Sequence, residues 1–554
     1  MLETASSNSK SIKIDGANKL AIEVCKQRVI AVSVIFFVTT LLITIKLFYI
    51  SVNNSIVYSN ITHKSDLVVR GRILDRNGKI IATSLPSYSL YLDATKVKHP
   101  LILLDKLLNI IPINNKKRIL EKINNKEKFI YVARQLSPEN AKKILYLGEP
   151  SLDFIIEPLR IYPLEEETSV LVGHVGLDDN AHAGVERSYN NKLKKGKDVV
   201  LTIDSRLQSI VYNKLKEGLN SFKAKAAVGI IIDVTNGEVL AATSFPNLNP
   251  NIRSHHSDHS RINRVTMSNY EIGSIFKSFT IASALNEDIV NLNSKFDASK
   301  PFKVKGLLVE DFHAQNRILD LEEVFLYSSN IGSSKIAMEL GKDKQNYYFS
   351  ALGFKKDIKI GIFETSSPIF PANSAESDIA VRSYGYGISI NPLQALAALA
   401  ATVNGGMYIE PMVVKDPLYE ERPIIKVFKP EVSSIMKHLY RIVVEDERGT
   451  ANLINIKEYD IGGKTGTADK YENGKYNSKK NISSFVAFLP INQPKYGIFI
   501  LLDEPNLYKN KESTAGWTAV PIAKEIIKEM APVIGEPSKH VNLNNNLIQE
   551  IVLQ

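Results

Sequence analysis

Hydrophobic residues are spread unevenly along the chain. From Val29 to Ile45 the residues VIAVSVIFFVTTLLITI carry no charge, and apolar character resumes after Lys46 in LFYI. About 20 residues at 1.5 Å rise cross roughly 30 Å of hydrocarbon, and a lysine near one end can snorkel to the interface. A buried core helix and a signal peptide are the competing readings. A signal peptide has an apolar region of about 7–15 residues followed by a small-residue cleavage site, and no A-x-A string precedes Lys46. The pattern therefore predicts an uncleaved transmembrane anchor over residues 29–50. Ser33, Thr39, Thr40 and Thr44 within it suit either lateral contacts in lipid or bonds to their own backbone.

Beyond residue 62 the periods are shorter. In DLVVRGRILDRNGKIIATSL, β-forming residues flank Asn77-Gly78, which predicts a hairpin whose two turn positions both take positive φ. Residues 101–150 are rich in Lys and Asn with helical periodicity, as expected of a small solvated helical insertion. Residues 160–190 are short, glycine-punctuated pieces, poor material for an independent core. Residues 62–198 thus read as an elongated mixed module.

A boundary falls near Lys197. DVVLTID predicts a strand, and SRLQSIVYNKLKEGLNSF an amphipathic helix capped by Asp204 or Ser205. AAVGIIIDVTNGEVLAATSF gives a second hairpin around Asn236-Gly237, with strands apolar on both faces and so central in a covered sheet. Strands return at SSFVAFLP and KYGIFILLD, followed by a helix from about Thr518 to Met530. The expected fold of residues 199–532 is α+β, an antiparallel sheet with helices on both faces. Residues 533–554, with Asn544, Asn545 and Asn546, read as a flexible tail.

Composition narrows the class. With 554 residues and 44% hydrophobic content, a sizeable core can form, which excludes a disordered, collagenous or disulfide-scaffold protein. Lys and Arg outnumber Asp and Glu by 69 to 59, a net +10. That charge is spread along the chain rather than stacked in a basic tail, so it favours acidic surroundings with nucleic acid as one reading among several. Lys10, Lys13, Lys19, Lys26 and Arg28 precede the apolar run, whereas only Lys46 and Lys64 follow closely. The positive-inside rule then leaves residues 1–28 as a cytoplasmic stub and exports the rest. Cys25, the single cysteine, falls on the reducing side and excludes an intramolecular disulfide or a cysteine-rich zinc site. His255, His256 and His259 have the form H-H-x-x-H, but RSHHSDHS reads as a solvated loop rather than a metal site. No metal or cofactor is expected.

Three short motifs carry the chemistry. In Ser274-Ile275-Phe276-Lys277 the hydroxyl and amine sit at i and i+3 on one helical face, and SIFKSFTIASAL is apolar enough to bury that helix nearly all round. Burial lowers a lysine pKa toward the range where the neutral amine can accept a proton, and a free N–H at the helix start can meet an oxyanion. Ser328-Ser329-Asn330 lies between two helical stretches. Its serine can relay a proton and its asparagine can pair with an amide, although a plain helix cap has the same composition. Lys464-Thr465-Gly466-Thr467 follows Gly462-Gly463 on an extended segment. The glycines admit a second backbone, the hydroxyls suit a carboxylate, and the amine repels a second buried cation such as Lys277. The spacing of a phosphate loop is absent.

In chain order these are S-x-x-K, S-x-N and K-T-G, a combination far more specific than any member. With them the sequence resembles the monofunctional class B penicillin-binding proteins, closest to the cell-division peptidoglycan D,D-transpeptidase (penicillin-binding protein 3 type). The resemblance extends to Arg70–Gly78, Arg160-Ile161-Tyr162-Pro163, Gly173–Gly176, Gly184-Val185-Glu186, Leu201–Asp204, Arg261, Asn263-Arg264 and Asn404-Gly405-Gly406. It implies a serine beta-lactamase/penicillin-binding transpeptidase fold behind a dimerisation or pedestal module. By this resemblance Ser274 is the nucleophile, Lys277 its general base, Ser328 a proton relay and Lys464 the strand lysine. Asn330, Thr465, Gly466 and Thr467 bind substrate, and the N–H groups of Ser274 and Thr467 form the oxyanion hole. Ile272 and Ala487 stand where many relatives have Pro and Gly.

The implied reaction is acyl transfer from a peptidoglycan stem peptide, with release of D-alanine and with beta-lactams as inhibitors. Implied partners are the lipid-linked precursor, a membrane-embedded glycosyltransferase and other division proteins, and the +10 charge then points to anionic membrane and cell-wall surfaces rather than nucleic acid. Tyr384–Ala400 and Asp503-Glu504-Pro505 favour the division type, while an elongation transpeptidase and a non-catalytic division scaffold are the alternatives. The stretch before Asp66 is too short for a glycosyltransferase domain of the chain's own.

Overall fold

The computed structural model describes residues 16–61, 69–113, 115–252, 258–370, 375–415, 422–506 and 513–535. Residues 1–15 of the expected stub, the tail beyond 535, and His255 and His256 lie outside the described residues. The chain divides into two compact units between Val68 and Val69.

The first unit is built on one helix, α1 (Gly16–Ile61). No proline interrupts these 46 residues, so the helix overruns the expected anchor at both ends and is about 69 Å long. Its Ile22–Tyr49 stretch is long and apolar enough to cross a membrane, and Phe36, Phe37 and Phe48 on it are exposed. Thr39, Thr40 and Thr44 donate to Ile35, Phe36 and Thr40 carbonyls within the helix, the backbone alternative named above.

The second unit opens with β1 (Ile73–Leu74) and β2 (Ile80–Leu92), paired antiparallel. The turn between them differs from expectation. Only Gly78 has positive φ, because Asp75 accepts hydrogen bonds from the N–H groups of Asn77 and Lys79 and closes a longer loop. The hairpin at Asn236-Gly237 follows the same rule, with Gly237 alone at positive φ and Asp233 accepting from Thr235 N–H.

The lysine-rich insertion is more than a solvated appendage. α2 (Pro100–Leu108), α3 (Lys116–Asn124), β3 (Ile130–Leu136) and α4 (Pro138–Leu145) follow in order. β3 pairs with β2, as does β4 (Leu152–Ile161) on its other side. Leu90 and Leu92 of β2 join Leu104, Ile119, Ile130 and Ile144 in a separate small core. The long polar side chains between those positions hid it from the periodicity.

Residues 160–190 have no core of their own, as expected: Tyr162, Leu171, Val172 and Val185 join the main core. Four strings singled out in the sequence converge here. Arg70 Nε and Arg160 Nε each lie 2.7 Å from the Glu186 carboxylate, and all three side chains are almost wholly buried. Tyr162 Oη accepts a 3.0 Å bond from Val175 N–H. The hairpin also grips the following segment. Arg76 N–H donates to the Ile203 carbonyl and Asp75 Oδ2 accepts from Ser205 N–H, while β5 (Val199–Val200) runs parallel to β1.

The principal sheet comprises β6 (Ala226–Asp233), β7 (Val239–Phe245), β8 (Gly462–Glu472), β9 (Lys475–Leu489) and β10 (Tyr496–Asp503). Their order is β8-β9-β10-β6-β7, antiparallel throughout. β6 is internal as expected, but β7 forms one edge. It is buried nonetheless, since Val239 N–H donates to Met412 O beyond it.

α5 (Ser205–Ser221), capped by Asp204, packs with α11 (Ala519–Ile534) against β6, β7 and β10. α9 (Pro392–Ala400) and α10 (Pro430–Glu445) cover β6, β8 and β10. Every residue of β6, β7 and β10 is buried, so both faces are covered. α11 runs four residues past the expected Met530 and ends at left-handed Gly535. The other edge, β8, carries the K-T-G motif.

Candidate active site

Each motif arrives on a different kind of element. Gly273–Phe276 is a tight helical turn leading into α6 (Lys277–Asn286), whose residues Lys277 to Leu285 are all buried. The turn keeps Ser274 only half-buried at the surface while Lys277 drops into the core. α7 (Leu321–Leu326) ends just before Ser328, and α8 runs from Asn330 to Leu340. Ser329 is the helix cap, accepting from Gly332 N–H. The cap reading is thus realised at Ser329, which leaves the Ser328 hydroxyl and the Asn330 amide to face Lys277.

The three motifs meet at the Lys277 amine. Its Nζ is 2.9 Å from Ser274 Oγ, 3.0 Å from Ser328 Oγ, 2.5 Å from Ser328 O and 2.8 Å from Asn330 Oδ1. Burial pushes the Lys277 pKa well below the usual lysine range, the Lys464 charge lowers it further, and the Asp311 charge opposes both. A neutral amine 2.9 Å from a serine hydroxyl is placed to take its proton.

Lys464 is itself fully buried, and burial brings its pKa down to about 7. Its Nζ has no hydrogen-bond partner among the described residues and faces the Phe325 ring, 5.4 Å from the centroid. Gly466 is where backbones meet: a Cβ there would lie 2.2 Å from Ile272 O. β8 therefore presses directly on the turn that carries Ser274. Thr465 Oγ1 lies 2.6 Å from Thr450 Oγ1, and Thr467 Oγ1 accepts from Ala515 N–H. Ala487 is fully buried in β9. His259, the described member of the histidine string, uses its carbonyl to accept from Arg264.

Several contacts at the site had no signal in the sequence. Asp311 accepts from Ser329 Oγ at 2.7 Å and from Ile331 N–H at 2.9 Å. Glu310 O accepts from Asn330 Nδ2. Tyr386 Oη accepts from Asp469 N–H, tying the Tyr384–Gly387 loop to β8, and Glu271 accepts from Gly387 N–H. Beside this strand opens a cavity of about 840 Å³ lined in part by Glu271, Asp469, Tyr471 and Tyr476. These partners come from loops remote in sequence, and spacing cannot announce them.

A half-buried serine, a buried amine with lowered pKa and an edge strand with a second buried lysine define a serine acyl-transfer enzyme. Comparison with known proteins specifies the class. The penicillin binding protein transpeptidase domain matches residues 227–528, and the penicillin-binding protein dimerisation domain matches residues 65–209. The probable peptidoglycan D,D-transpeptidase FtsI of Caulobacter vibrioides is 33% identical over 488 residues, covering 85% of this chain and 82% of the relative. The peptidoglycan D,D-transpeptidase FtsI of Escherichia coli is 30% identical over 79% of this chain and 80% of its own. Stage V sporulation protein D of Bacillus subtilis is 29% identical over 85% and 79%. The chain belongs to the penicillin-binding transpeptidase family, in the class that carries the dimerisation domain ahead of the catalytic one.

Proposed function

We propose that this chain is a septal peptidoglycan D,D-transpeptidase. The observation that carries the reading is the 2.9 Å approach of the buried Lys277 amine to Ser274 Oγ. In the first half-reaction Lys277 takes the Ser274 proton, and Oγ attacks the penultimate D-alanine carbonyl of a stem peptide. The N–H groups of Ser274 and Thr467 stabilise the oxyanion, with Thr465 and Thr467 on the terminal carboxylate and Asn330 on the peptide amide. Collapse breaks the C–N bond. The proton held by Lys277 passes through Ser328 to the departing D-alanine amine, leaving a Ser274 ester. In the second half-reaction an amine of a neighbouring stem attacks that ester, its proton returns through Lys277 to Ser274 Oγ, and an amide cross-link forms.

Beta-lactams acylate the same serine in this scheme. Covalent labelling of the detergent-solubilised chain by a fluorescent penicillin tests it: Ser274→Ala abolishes labelling, and labelling that survived would overturn the assignment.

The division role rests on the relatives named FtsI. Depletion in cells separates it from elongation, since filaments indicate the first and spheres the second. In the proposed topology α1 holds the chain in the inner membrane with its N-terminus cytoplasmic and residues after 50 periplasmic. The proposed modules are a pedestal over 62–198 and a catalytic domain over 199–532. The lipid-linked precursor, a membrane glycosyltransferase and division proteins are its proposed neighbours.

A further inference from the structure

Ser328 is the one residue of the catalytic cluster with a strained backbone. Its φ of 61° lies in the left-handed region, a conformation that a residue with a Cβ keeps only when its surroundings impose it. That conformation goes with both Ser328 oxygens standing near the Lys277 amine, at 2.5 and 3.0 Å. Two of the next three residues are fastened by a single side chain. Asp311 Oδ2 accepts from Ser329 Oγ, Asp311 Oδ1 accepts from Ile331 N–H, and Ser329 Oγ in turn accepts from Gly332 N–H. The neighbouring Glu310 carbonyl holds Asn330 Nδ2, leaving Oδ1 of the same amide for Lys277. The first turn of α8 is thus bolted to the loop at 310–311.

We propose that Asp311 is a positioning residue for the acyl-transfer site: its carboxylate holds the Ser328–Asn330 turn in its strained form and balances the charge around Lys277. The inference rests on the reading of Lys277 as the base. Two charged groups act on that amine, Lys464 from β8 and Asp311 from the loop ahead of α7, and they act in opposite directions. Ser328 and Asn330 supply only neutral oxygens. Asp311 is therefore the counter-charge of the buried Lys277 and, through its two oxygens on Ser329 and Ile331, the brace of the turn that carries Ser328.

Two variants separate these roles. Asp311→Asn keeps an acceptor for Ile331 N–H and a polar partner for Ser329 while removing the charge. Asp311→Ala removes both. The measurement is the second-order rate of acylation by a fluorescent penicillin against pH, on the full-length chain in detergent, with Ser274→Ala alongside. Losing the Asp311 charge lowers the Lys277 pKa, so the acid limb of the Asp311→Asn profile moves to lower pH. Asp311→Ala slows acylation at its optimum by about tenfold or more, the range of a lost buried hydrogen-bond pair.

A substitution that merely loosened the fold would lower the amplitude without moving the limb. Limbs that coincide for Asp311→Asn and wild type overturn the charge role, and an Asp311→Ala rate within twofold of wild type overturns the bracing role. Should Asp311→Ala fail to fold, the Asp311→Asn limb still decides. Labelling of Ser274→Ala would instead sink the transpeptidase reading itself, so the two failures are distinguishable.

Discussion

The Lys277 amine lies 2.5 Å from the main-chain oxygen of Ser328, closer than to that residue's own hydroxyl at 3.0 Å. The lysine is thus seated by a group that no side-chain substitution at 328 removes. Positioning of the base and relay of the proton are separable here, and two variants can tell them apart.

Ser328→Ala deletes the relay while the carbonyl and Asn330 Oδ1 still hold Lys277. The expected result is a fall in acylation rate of about 10²- to 10⁴-fold, the range for loss of a positioned acid–base group, with an unchanged melting temperature. Stopped-flow acylation and thermal unfolding of the same preparation check it. A rate within tenfold of wild type would remove Ser328 from the proton path.

Lys464→Met removes the cation that holds down the Lys277 pKa. A base with a higher pKa keeps its proton to higher pH, so the acid limb of the acylation profile moves upward, opposite to Asp311→Asn. Methionine fills much of the same volume over the Phe325 ring, so folding is retained. A limb that stayed in place would show that the Lys464 charge does not reach Lys277.

The chemistry of this site could be read from the chain because its key pairs are local. Ser274 and Lys277 are one helical turn apart, and Ser328 and Asn330 flank a helix cap. The apolar run after Gly273 also told truly that Lys277 is buried. Asp311 escaped notice because it reaches Ser329 across 18 residues, through a loop whose Asp, Phe and His have no period. The hairpin turns failed for another reason. Asn-Gly favours two positive φ angles, but Asp75 and Asp233 compete by capping the loop with their carboxylates, and that tertiary choice prevailed over the dipeptide preference.

The buried Arg70–Glu186–Arg160 network carries its own test. Glu186 is buried between Arg70 and Arg160, bonded to each at 2.7 Å. Glu186→Ala takes its paired carboxylate from the buried Arg160 and leaves Arg70 only Asp179, 3.3 Å away, a loss of about 3–5 kcal/mol. The thermal unfolding midpoint is expected to fall by several degrees. Glu186→Gln, which keeps an acceptor, sits between. Equal midpoints for all three proteins would show that the network contributes nothing to stability.

Gly466 sets how close β8 comes to the nucleophile. A Cβ on it would stand 2.2 Å from Ile272 O and 2.7 Å from Ser484 Oγ, and the first of these is main chain that cannot rotate aside. Gly466→Ala must therefore push β8 away from the Gly273–Phe276 turn. The oxyanion donors proposed at Ser274 and Thr467 lie on opposite sides of that contact, so their spacing widens. Misplacement of reacting groups by about 1 Å is worth roughly 10²-fold in rate. Acylation by penicillin is expected to fall by at least that factor. Lys277 keeps its partners Ser274, Ser328 and Asn330, so the acid limb of the pH profile stays where it is in wild type. A variant that acylated at the wild-type rate would show that the strand and the turn can separate without cost to the site. A shifted limb would show that the displacement reaches the base as well as the oxyanion donors.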